Sequence, residues 1–371
     1  MSGGLVVIAG GGTAGHVFPG LALGRTLRDR GRDVRFVGTE GGLEARLVPA
    51  AGFEFHAVPA TPLVRRVSAD ALRAPFVALG ATRRCRPLVR GASVVVGMGG
   101  YVSVSTVLAA RREGVPVVLH EQNAIPGMAN RALARLSRVV ALSFADARQA
   151  FGRSVRVELT GNPVRDDILR AVEDRDTLAK EGREVLDLEE ERKTVLIFGG
   201  SQGALHIDRA AVGACRLLSR RADLQVVLIT GPAHLDSIRR GLPQEEAGLR
   251  VRLLGYLDRM ELAYACADLA VSRSGATTMA ELTVCGLPAL LIPYPYATRG
   301  HQEANARALQ RAGGASVLLD DQLSANALAS RIESLIDHDE RLMAMAERSR
   351  AFGRPDAAAR LADLVEEVSV T

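Results

Sequence analysis

The 371-residue sequence has no tryptophan, and aromatic residues make up only 4% of it. Proteins that bind single-stranded nucleic acid depend on aromatic side chains for base stacking, so we expect no nucleic-acid partner. The cysteines lie far apart, without the paired spacing of zinc or redox sites. Their apolar or helical surroundings favour buried thiols in a reducing compartment. They are Cys85, Cys215, Cys266 and Cys285.

Long apolar runs and metal signatures are also missing. No stretch reaches the roughly 18 apolar residues that span a bilayer, and the start, MSGGLVVIAGGG, lacks the basic segment of a signal peptide. No Ser-His-Asp order or HExxH motif occurs. The single Asp-x-Asp, at Asp174–Asp176, lies in a densely charged stretch. We therefore expect neither a metal site nor a bound cofactor.

What is present describes a globular protein of two domains. Hydrophobic residues make up 47% and charged residues 24% of the chain, which excludes a disordered protein. The length exceeds what one core usually supports. A net charge of +5 suits nucleic acid, an anionic membrane or phosphorylated ligands, although solubility alone would also explain it.

The two halves of the chain open with the same plan. A short apolar strand at Leu5–Ala9 runs into a glycine-rich turn at Gly10–Gly15 and then a helix. The plan repeats with a strand at Thr194–Phe198 and a turn at Gly199–Ala204. A strand, a glycine-rich turn and a helix together begin a doubly wound parallel sheet.

Further buried strands separated by helical stretches continue both halves. We predict an α/β fold of two Rossmann-like domains that face a central cleft, with the boundary in GNPVR at Gly161–Arg165 and a charged helix or linker at 171–193. Ligands are expected at the carboxyl ends of the strands. The further strands are predicted at Val34–Val37, Val94–Val96, Val115–Leu119, Val139–Leu142, Leu224–Ile229, Val251–Leu254, Leu269–Ser272 and Ala289–Ile292.

The first turn alone permits two functions. Gly10, Gly12 and Gly15 fit G-x-G-x-x-G, and Glu40 lies about where a dinucleotide-binding protein has its acidic residue. An NAD-dependent oxidoreductase is therefore one alternative. His16 favours another chemistry, because the helix dipole keeps an imidazole at this position neutral and able to accept a proton. A histidine that only hydrogen-bonds the turn fits its position equally well.

The most informative segment of the second half is SRSGATTMAE, at 272–281. It follows a strand and opens a helix, so the amides of Gly275–Thr278 can bind a diphosphate. Glu281 lies one turn later, where a carboxylate can accept hydrogen bonds from ribose hydroxyls; a surface ion pair is the alternative. Polar residues also follow other strands, in HEQN (120–123), GGYVS (99–103) and HQEANA (301–306).

Taken together, the motifs closely resemble the MurG family, the bacterial UDP-N-acetylglucosamine:lipid I N-acetylglucosaminyltransferases of glycosyltransferase family 28. They keep that family's order from residue 5 to about 310. They are GGGTAGHVFPGLALG (10–24), GMGGYVS (97–103), HEQN (120–123), GNPVR (161–165), GGSQGA (199–204), SRSGATTMAE (272–281) and HQEANA (301–306).

The resemblance implies a GT-B fold in which residues 1–163 bind lipid I and dock on the membrane, and residues 164–350 bind UDP-GlcNAc. We expect a C-terminal helix in 351–371 to pack back toward the N-terminal domain. The implied reaction is an inverting transfer of GlcNAc to the C4 hydroxyl of the muramyl sugar, which forms lipid II for peptidoglycan. The implied location is peripheral, on the cytoplasmic face of the bacterial inner membrane.

The family's functional residues carry over position by position. His16 would be the catalytic base, Arg165 and Ser201 would contact the nucleotide or its phosphates, and Gln302 would contact GlcNAc hydroxyls. The backbone of Leu257 would contact uracil. Thr13, Ala14, Gly15 and Asn123 would approach the donor sugar and acceptor, while Ala276, Thr277, Thr278, Met279, Ala280 and Glu281 would hold the diphosphate and ribose.

Three positions depart from the family's pattern. Ala14 replaces a common glycine, so that position should not need a positive φ, whereas Gly15 can adopt one. His301 replaces a glutamine found in some members. Segment 63–90, the family's membrane-docking region, is rich in arginine but poor in aromatic residues, and a pair of ordinary amphipathic helices is the alternative. A non-catalytic nucleotide-sugar-binding protein is a third possible function.

Overall fold

The computed structural model describes residues 3–58, 80–200, 203–242 and 248–369. The chain forms two compact units, one of Met1–Arg165 with Pro355–Thr371 and one of Asp166–Arg354. It thus leaves the first unit at the end of the GNPVR segment and returns after residue 354. Among the described residues, no helix is both long and apolar enough to cross a bilayer.

The first unit is a parallel sheet with helices. Its seven strands are β1 (Gly3–Gly10), β2 (Arg32–Gly38), β3 (Glu54–Ala57), β4 (Val94–Gly99), β5 (Val117–Glu121), β6 (Val139–Leu142) and β7 (Val157–Leu159). Its helices are α1 (Ala14–Asp29), α2 (Glu44–Ala50), α3 (described over 80–89), α4 (Tyr101–Glu113), α5 (Met128–Leu133) and, from the end of the chain, α15 (Ala357–Val368).

The strand order of this sheet is β3-β2-β1-β4-β5-β6-β7, with every neighbouring pair parallel. The order reverses between β1 and β4, and such a switch point is where doubly wound sheets bind ligands. Both faces of the sheet are covered. Val94 and Val96 lie in one apolar cluster and Val95 in the other, which explains why central strands are continuous apolar runs.

Helix α15 completes the first unit. Leu361 and Val365 are fully buried in the cluster formed by α1 and one face of the sheet. Arg30, directly after α1, donates hydrogen bonds to Asp363 and Glu366 at 2.7 and 2.8 Å. Because these ion pairs are partly exposed and individually weak, burial of the apolar face is the main reason that α15 packs here.

The second unit has a six-stranded parallel sheet of order β10-β9-β8-β11-β12-β13, with its switch point between β8 and β11. Its strands are β8 (Lys193–Phe198), β9 (Leu224–Ile229), β10 (Arg250–Leu254), β11 (Leu269–Ser272), β12 (Ala289–Leu291) and β13 (Ala315–Val317). Its helices are α6 (Asp166–Glu173), α7 (Arg175–Leu186), α8 (Leu205–Leu217), α9 (Leu235–Arg239), α10 (Met260–Cys266), α11 (Ala276–Val284), α12 (His301–Ala312), α13 (Ala325–Ile336) and α14 (Asp339–Phe352).

The charged segment 171–193 is largely helical. Helix α7 buries Ala179 and Leu186, and Cys266 of α10 lies against its Ala179 carbonyl at 3.3 Å. The segment therefore belongs to the packed structure of the second unit, with its charges on the exposed side.

Candidate active site

The first glycine-rich turn connects β1 to α1 and presents His16 at the switch point. Gly12 has φ of 84°, a value that favours glycine. Ala14 begins α1 and Gly15 is helical, so the possibility of a positive φ at Gly15 is not realised. His16 is thus the third residue of the helix and is partly exposed at the sheet edge.

Two contacts fix the His16 ring. Its Nδ1 lies 3.0 Å from the Gly11 carbonyl oxygen and 3.2 Å from Oγ1 of Thr13. Since a carbonyl only accepts hydrogen bonds, Nδ1 carries the ring proton in the neutral form, and Nε2 is then the nitrogen that can accept a proton. Nε2 faces Gly99 at the end of β4, where a β-carbon would lie only 2.8 Å away.

A buried carboxylate that the sequence analysis missed also lies against this turn. Glu44 of α2 is 1% exposed and accepts a hydrogen bond from the Gly12 amide at 3.0 Å. It also accepts bonds from the Thr39 amide at 2.9 Å and the Thr39 hydroxyl at 2.7 Å. Although burial opposes it, this hydrogen bonding holds the pKa of Glu44 below its usual value. Glu40, the residue that an NAD site would require, is exposed.

The HEQN segment spans the end of β5 and the loop after it. His120 is fully buried and contacts the Gly161 carbonyl through Nε2 at 3.0 Å, and burial lowers its pKa to about 4. Gln122 donates to the Met98 carbonyl at 2.6 Å, which joins the ends of β5 and β4. This histidine therefore stays neutral and supports the sheet edge.

Asn123 is held at this edge through Glu121. The buried Glu121 carboxylate accepts hydrogen bonds from the backbone N–H of Asn123 at 3.0 Å and from the side-chain NH2 of Asn130 at 2.8 Å. Arg165, the last residue of the unit's first segment, has its guanidinium carbon 5.2 Å from the centre of the Phe18 ring. Since Phe18 is two residues after His16, the structure brings Arg165 to the helix that carries the candidate base.

In the second unit, α11 begins at the end of β11 with Gly275 as its N-cap and no acidic residue in its first turn. The amides of such a first turn have no partners within the helix and attract anions. The Thr277 hydroxyl is buried and has no hydrogen-bond partner in the described part of the chain. Glu281 is 7% exposed and accepts a 2.9 Å hydrogen bond from the buried Tyr264 hydroxyl, so it is not a surface residue.

Ser274 joins the starts of α11 and α12. Its hydroxyl donates to the Gln302 carbonyl at 2.8 Å, and its own carbonyl accepts from Asn305 at 3.1 Å. The Gln302 side-chain oxygen accepts the Tyr294 amide at 2.9 Å, which leaves its NH2 group as the donor. The structure thus groups Gln302 with the segment 276–281.

The other candidates of the second unit are not joined to this group. Leu257 is partly buried in the loop after β10, an edge strand that two other strands separate from β11 in the sheet. Ser201 lies outside the described residues. His301 contacts the Thr298 carbonyl through Nδ1 at 2.8 Å.

Arg273 is a second residue that the sequence analysis missed. It is 9% exposed, donates to the carbonyls of Ile292 and Pro293 at 3.1 Å, and pairs with Asp320 at 2.5 Å. Burial opposes ionisation of Asp320, but bonds from Arg273 and His206 lower its pKa overall. Arg273 therefore fixes the loop after β12 beside the start of α11. In the sequence, the position of an arginine directly after a buried strand could have indicated this residue.

The comparisons with known proteins agree with this arrangement. Residues 6–142 match the N-terminal domain of glycosyltransferase family 28, and residues 194–361 match its C-terminal domain. A solved structure of MurG from Acinetobacter baumannii covers 98% of this chain and 99% of its own, with a TM-score of 0.80 and 28% identity. Within the described segments, no group of three His, Cys, Asp or Glu side chains could hold a metal ion.

Two Rossmann-like units, each with a glycine-rich turn at its switch point, define a GT-B glycosyltransferase. The chain belongs to glycosyltransferase family 28. Similar curated proteins from Acidothermus cellulolyticus (44% identical over 98% of each chain) and Halothermothrix orenii (40% identical over 98% of this chain and 99% of its own) share one name. That name is UDP-N-acetylglucosamine--N-acetylmuramyl-(pentapeptide) pyrophosphoryl-undecaprenol N-acetylglucosamine transferase.

Proposed function

We propose that this protein transfers GlcNAc from UDP-GlcNAc to the C4 hydroxyl of the muramyl sugar of lipid I, forming lipid II for peptidoglycan. The acceptor oxygen attacks the anomeric carbon with inversion. The bond from that carbon to UDP breaks, and the hydroxyl proton passes to His16. A well-placed general base typically raises the rate of such a reaction about 10²- to 10⁴-fold.

The observation that carries the proposal is the His16 geometry. The Nδ1 contact with the Gly11 carbonyl selects the tautomer whose Nε2 accepts a proton. Thr13, Ala14 and Gly15 form the adjoining helix start, and Asn123 is held after β5, which is separated from β1 by β4 in the sheet. These residues would line the acceptor side, with Arg165 at the helix that carries His16.

The donor contacts are proposed in the second unit. The first-turn amides of α11 and the Thr277 hydroxyl bind the diphosphate and stabilise the departing UDP, as donors do in an oxyanion site. Glu281, with one oxygen fixed by Tyr264, binds the ribose. Gln302 donates to GlcNAc hydroxyls, the Leu257 backbone contacts uracil, and Ser201 assists at the phosphates.

Donor binding is tested by thermal unfolding with UDP, UDP-GlcNAc or NAD. A ligand at 100 times its dissociation constant adds about 2.7 kcal/mol to the unfolding free energy. We expect both uridine ligands to raise Tm and NAD to leave it unchanged. Stabilisation by NAD alone would contradict the proposal. Turnover with a lipid I analogue separates an enzyme from a protein that only binds the donor.

Two variants then separate the roles of the units. His16→Ala should keep UDP-GlcNAc binding and lower kcat about 10²- to 10⁴-fold. Glu281→Ala should mainly raise the KM for UDP-GlcNAc, by roughly 10- to 100-fold, because hydrogen bonds to a charged group contribute about 1.5–3 kcal/mol. Tyr264→Phe is the matched control, since it keeps the carboxylate and should change KM less. Unchanged turnover in His16→Ala would show that His16 is not the general base.

We also propose peripheral binding of the first unit to the anionic inner leaflet of the cell membrane. Arg83 and Arg84 are exposed on α3, and Arg111 and Arg112 are exposed near the end of α4. The helices are joined by an ion pair from Arg86 to Glu113. Residues 63–79 of the expected docking region lie outside the described residues.

Co-sedimentation with phosphatidylglycerol vesicles tests this proposal. Each basic residue near an anionic surface contributes about 1 kcal/mol, so Arg83→Gln with Arg84→Gln should reduce binding at least about tenfold. Equal binding of the wild type to neutral phosphatidylcholine vesicles would contradict it.

A further inference from the structure

Glu44 is a buried ionisable group that the proposed transfer step does not use. It lies 32 residues from Gly12 in the sequence, yet its carboxylate accepts the Gly12 amide at 3.0 Å. The space is tight on both sides, because a β-carbon at Gly11 or at Gly42 would overlap the carboxylate. Both glycines therefore keep room for this side chain.

A short series of contacts leads from Glu44 to His16. The carboxylate binds Gly12, and the carbonyl of the preceding Gly11 is the group that fixes Nδ1 of His16 at 3.0 Å. On its other side, Glu44 is held by the amide and hydroxyl of Thr39, directly after β2. The peptide between Gly11 and Gly12 thus receives the carboxylate on its N–H and the imidazole on its carbonyl.

We propose that Glu44 is a positioning residue for the transfer reaction, which orients the Gly11–Gly12 peptide so that the His16 ring keeps the tautomer in which Nε2 can accept a proton. The inference rests on the proposed function, because the orientation of His16 matters for turnover only if His16 is the base. Glu44 would act through its contacts with Gly12 and Thr39.

Replacement of Glu44 by glutamine is the most specific test of these hydrogen bonds. Glu44 offers one oxygen to Gly12 and the other to Thr39, but a glutamine has only one acceptor oxygen. In Glu44→Gln an NH2 group must face a backbone N–H, and the Gly12 contact is lost when the oxygen stays with the two Thr39 donors. The shape of the side chain is unchanged.

A second variant displaces the carboxylate without altering either contact partner. In Gly42→Ala the new β-carbon overlaps the Glu44 carboxylate, whereas a β-carbon at Gly41 meets no atom within 4 Å. Neither glycine has a positive φ. Gly41→Ala is therefore the matched control for Gly42→Ala, and the exposed Glu40→Gln is the control for Glu44→Gln.

The experiment measures steady-state kinetics and the ¹⁵N signals of labelled histidine in the full-length protein, with His16 assigned from His16→Ala. We expect Glu44→Gln and Gly42→Ala to lower kcat about ten- to a hundredfold, as small displacements of catalytic groups do. The KM for UDP-GlcNAc should not change. The Nδ1 and Nε2 shifts of His16 should move toward a mixture of tautomers, while both controls resemble the wild type.

Two results would overturn the inference: wild-type kcat and His16 signals in both variants, or a lower Tm without any change in the His16 signals. Failure of the proposed function gives a different pattern. If His16→Ala keeps full turnover, His16 is not the base, yet the His16 signals in Glu44→Gln still report whether Glu44 orients the ring.

Discussion

The edges of the two sheets differ in where they place negative charge. In the first unit, the amide of Gly12 is bonded to the ionised Glu44. In the second unit, α11 begins without an acidic residue in its first turn, and Thr277 has a buried hydroxyl with no partner among the described residues. The turn before α1 thus holds one of the protein's own carboxylates, whereas the first turn of α11 contains none and keeps its capacity for an anion.

This difference suits the two helix starts to different purposes. A carboxylate on the turn repels a phosphate, and its hydrogen bonds order the peptide that holds His16. A helix start without an acid favours a diphosphate. Both helices follow a strand of a parallel sheet, so under the proposed roles the placement of acidic residues separates the turn that positions a base from the helix start that binds an anion.

Gly99→Ala tests how the first glycine-rich turn holds the His16 ring. Its β-carbon would lie 2.8 Å from Nε2 of His16, and Gly99 has φ of 103°. We expect the ring to be pushed out of place and kcat to fall about tenfold or more, with the KM for UDP-GlcNAc unchanged. Strain at positive φ should also cost about 1–2 kcal/mol of stability. Kinetics and urea unfolding measure the two effects.

Gly114→Ala is the control for that strain. Gly114 ends α4 with φ of 76°, and a β-carbon there meets no atom within 4 Å. It should lose similar stability and keep full turnover. If both variants lost turnover equally, the effect would come from stability, and the first edge would not be specialised for holding His16.

The sequence was sufficient for the central strands and for the family. The strands at Val139–Leu142, Leu224–Ile229 and Leu269–Ser272 have the predicted bounds, because strands buried on both faces are continuous apolar runs. The strands β3, β7 and β13 were missed. Each is an edge strand of three or four residues, and β3 and β7 are partly exposed, so no apolar run marks them.

The site was predictable only where contacts are local. His16 follows the glycine turn directly, and its bonds reach only three and five residues back. Glu44 reaches 32 residues to Gly12, and Arg273 reaches 47 residues to Asp320. Such partners depend on which loops the sheet order brings together. The assignments of His16, Glu281 and the other site residues to substrate contacts remain predictions.

A second carboxylate, Asp208, sharpens the comparison between the two edges. It lies in the first turn of α8, after the second glycine-rich turn, and is fully buried. One oxygen contacts Nδ1 of His234 at 2.9 Å, and the other has no partner in the described part of the chain. Burial raises its pKa to about 6, although His234 and Arg273 act in the opposite direction. Asp208 is therefore poorly compensated, unlike Glu44.

The smallest expected effect is in Asp208→Asn. Because the folded-state pKa of about 6 lies above the usual 3.8, the folded protein binds more protons between these values, and Asp208 stabilises it as pH falls from 7 to 5. We expect this gain in the free energy of unfolding between pH 7 and pH 5 to be about 1 kcal/mol and to be absent from the variant. Urea unfolding at both pH values measures the difference. UDP-GlcNAc affinity should stay within about twofold, since an asparagine oxygen still accepts from His234. A tenfold loss would mean that charge at α8 serves the donor, and the contrast with Glu44 would fail.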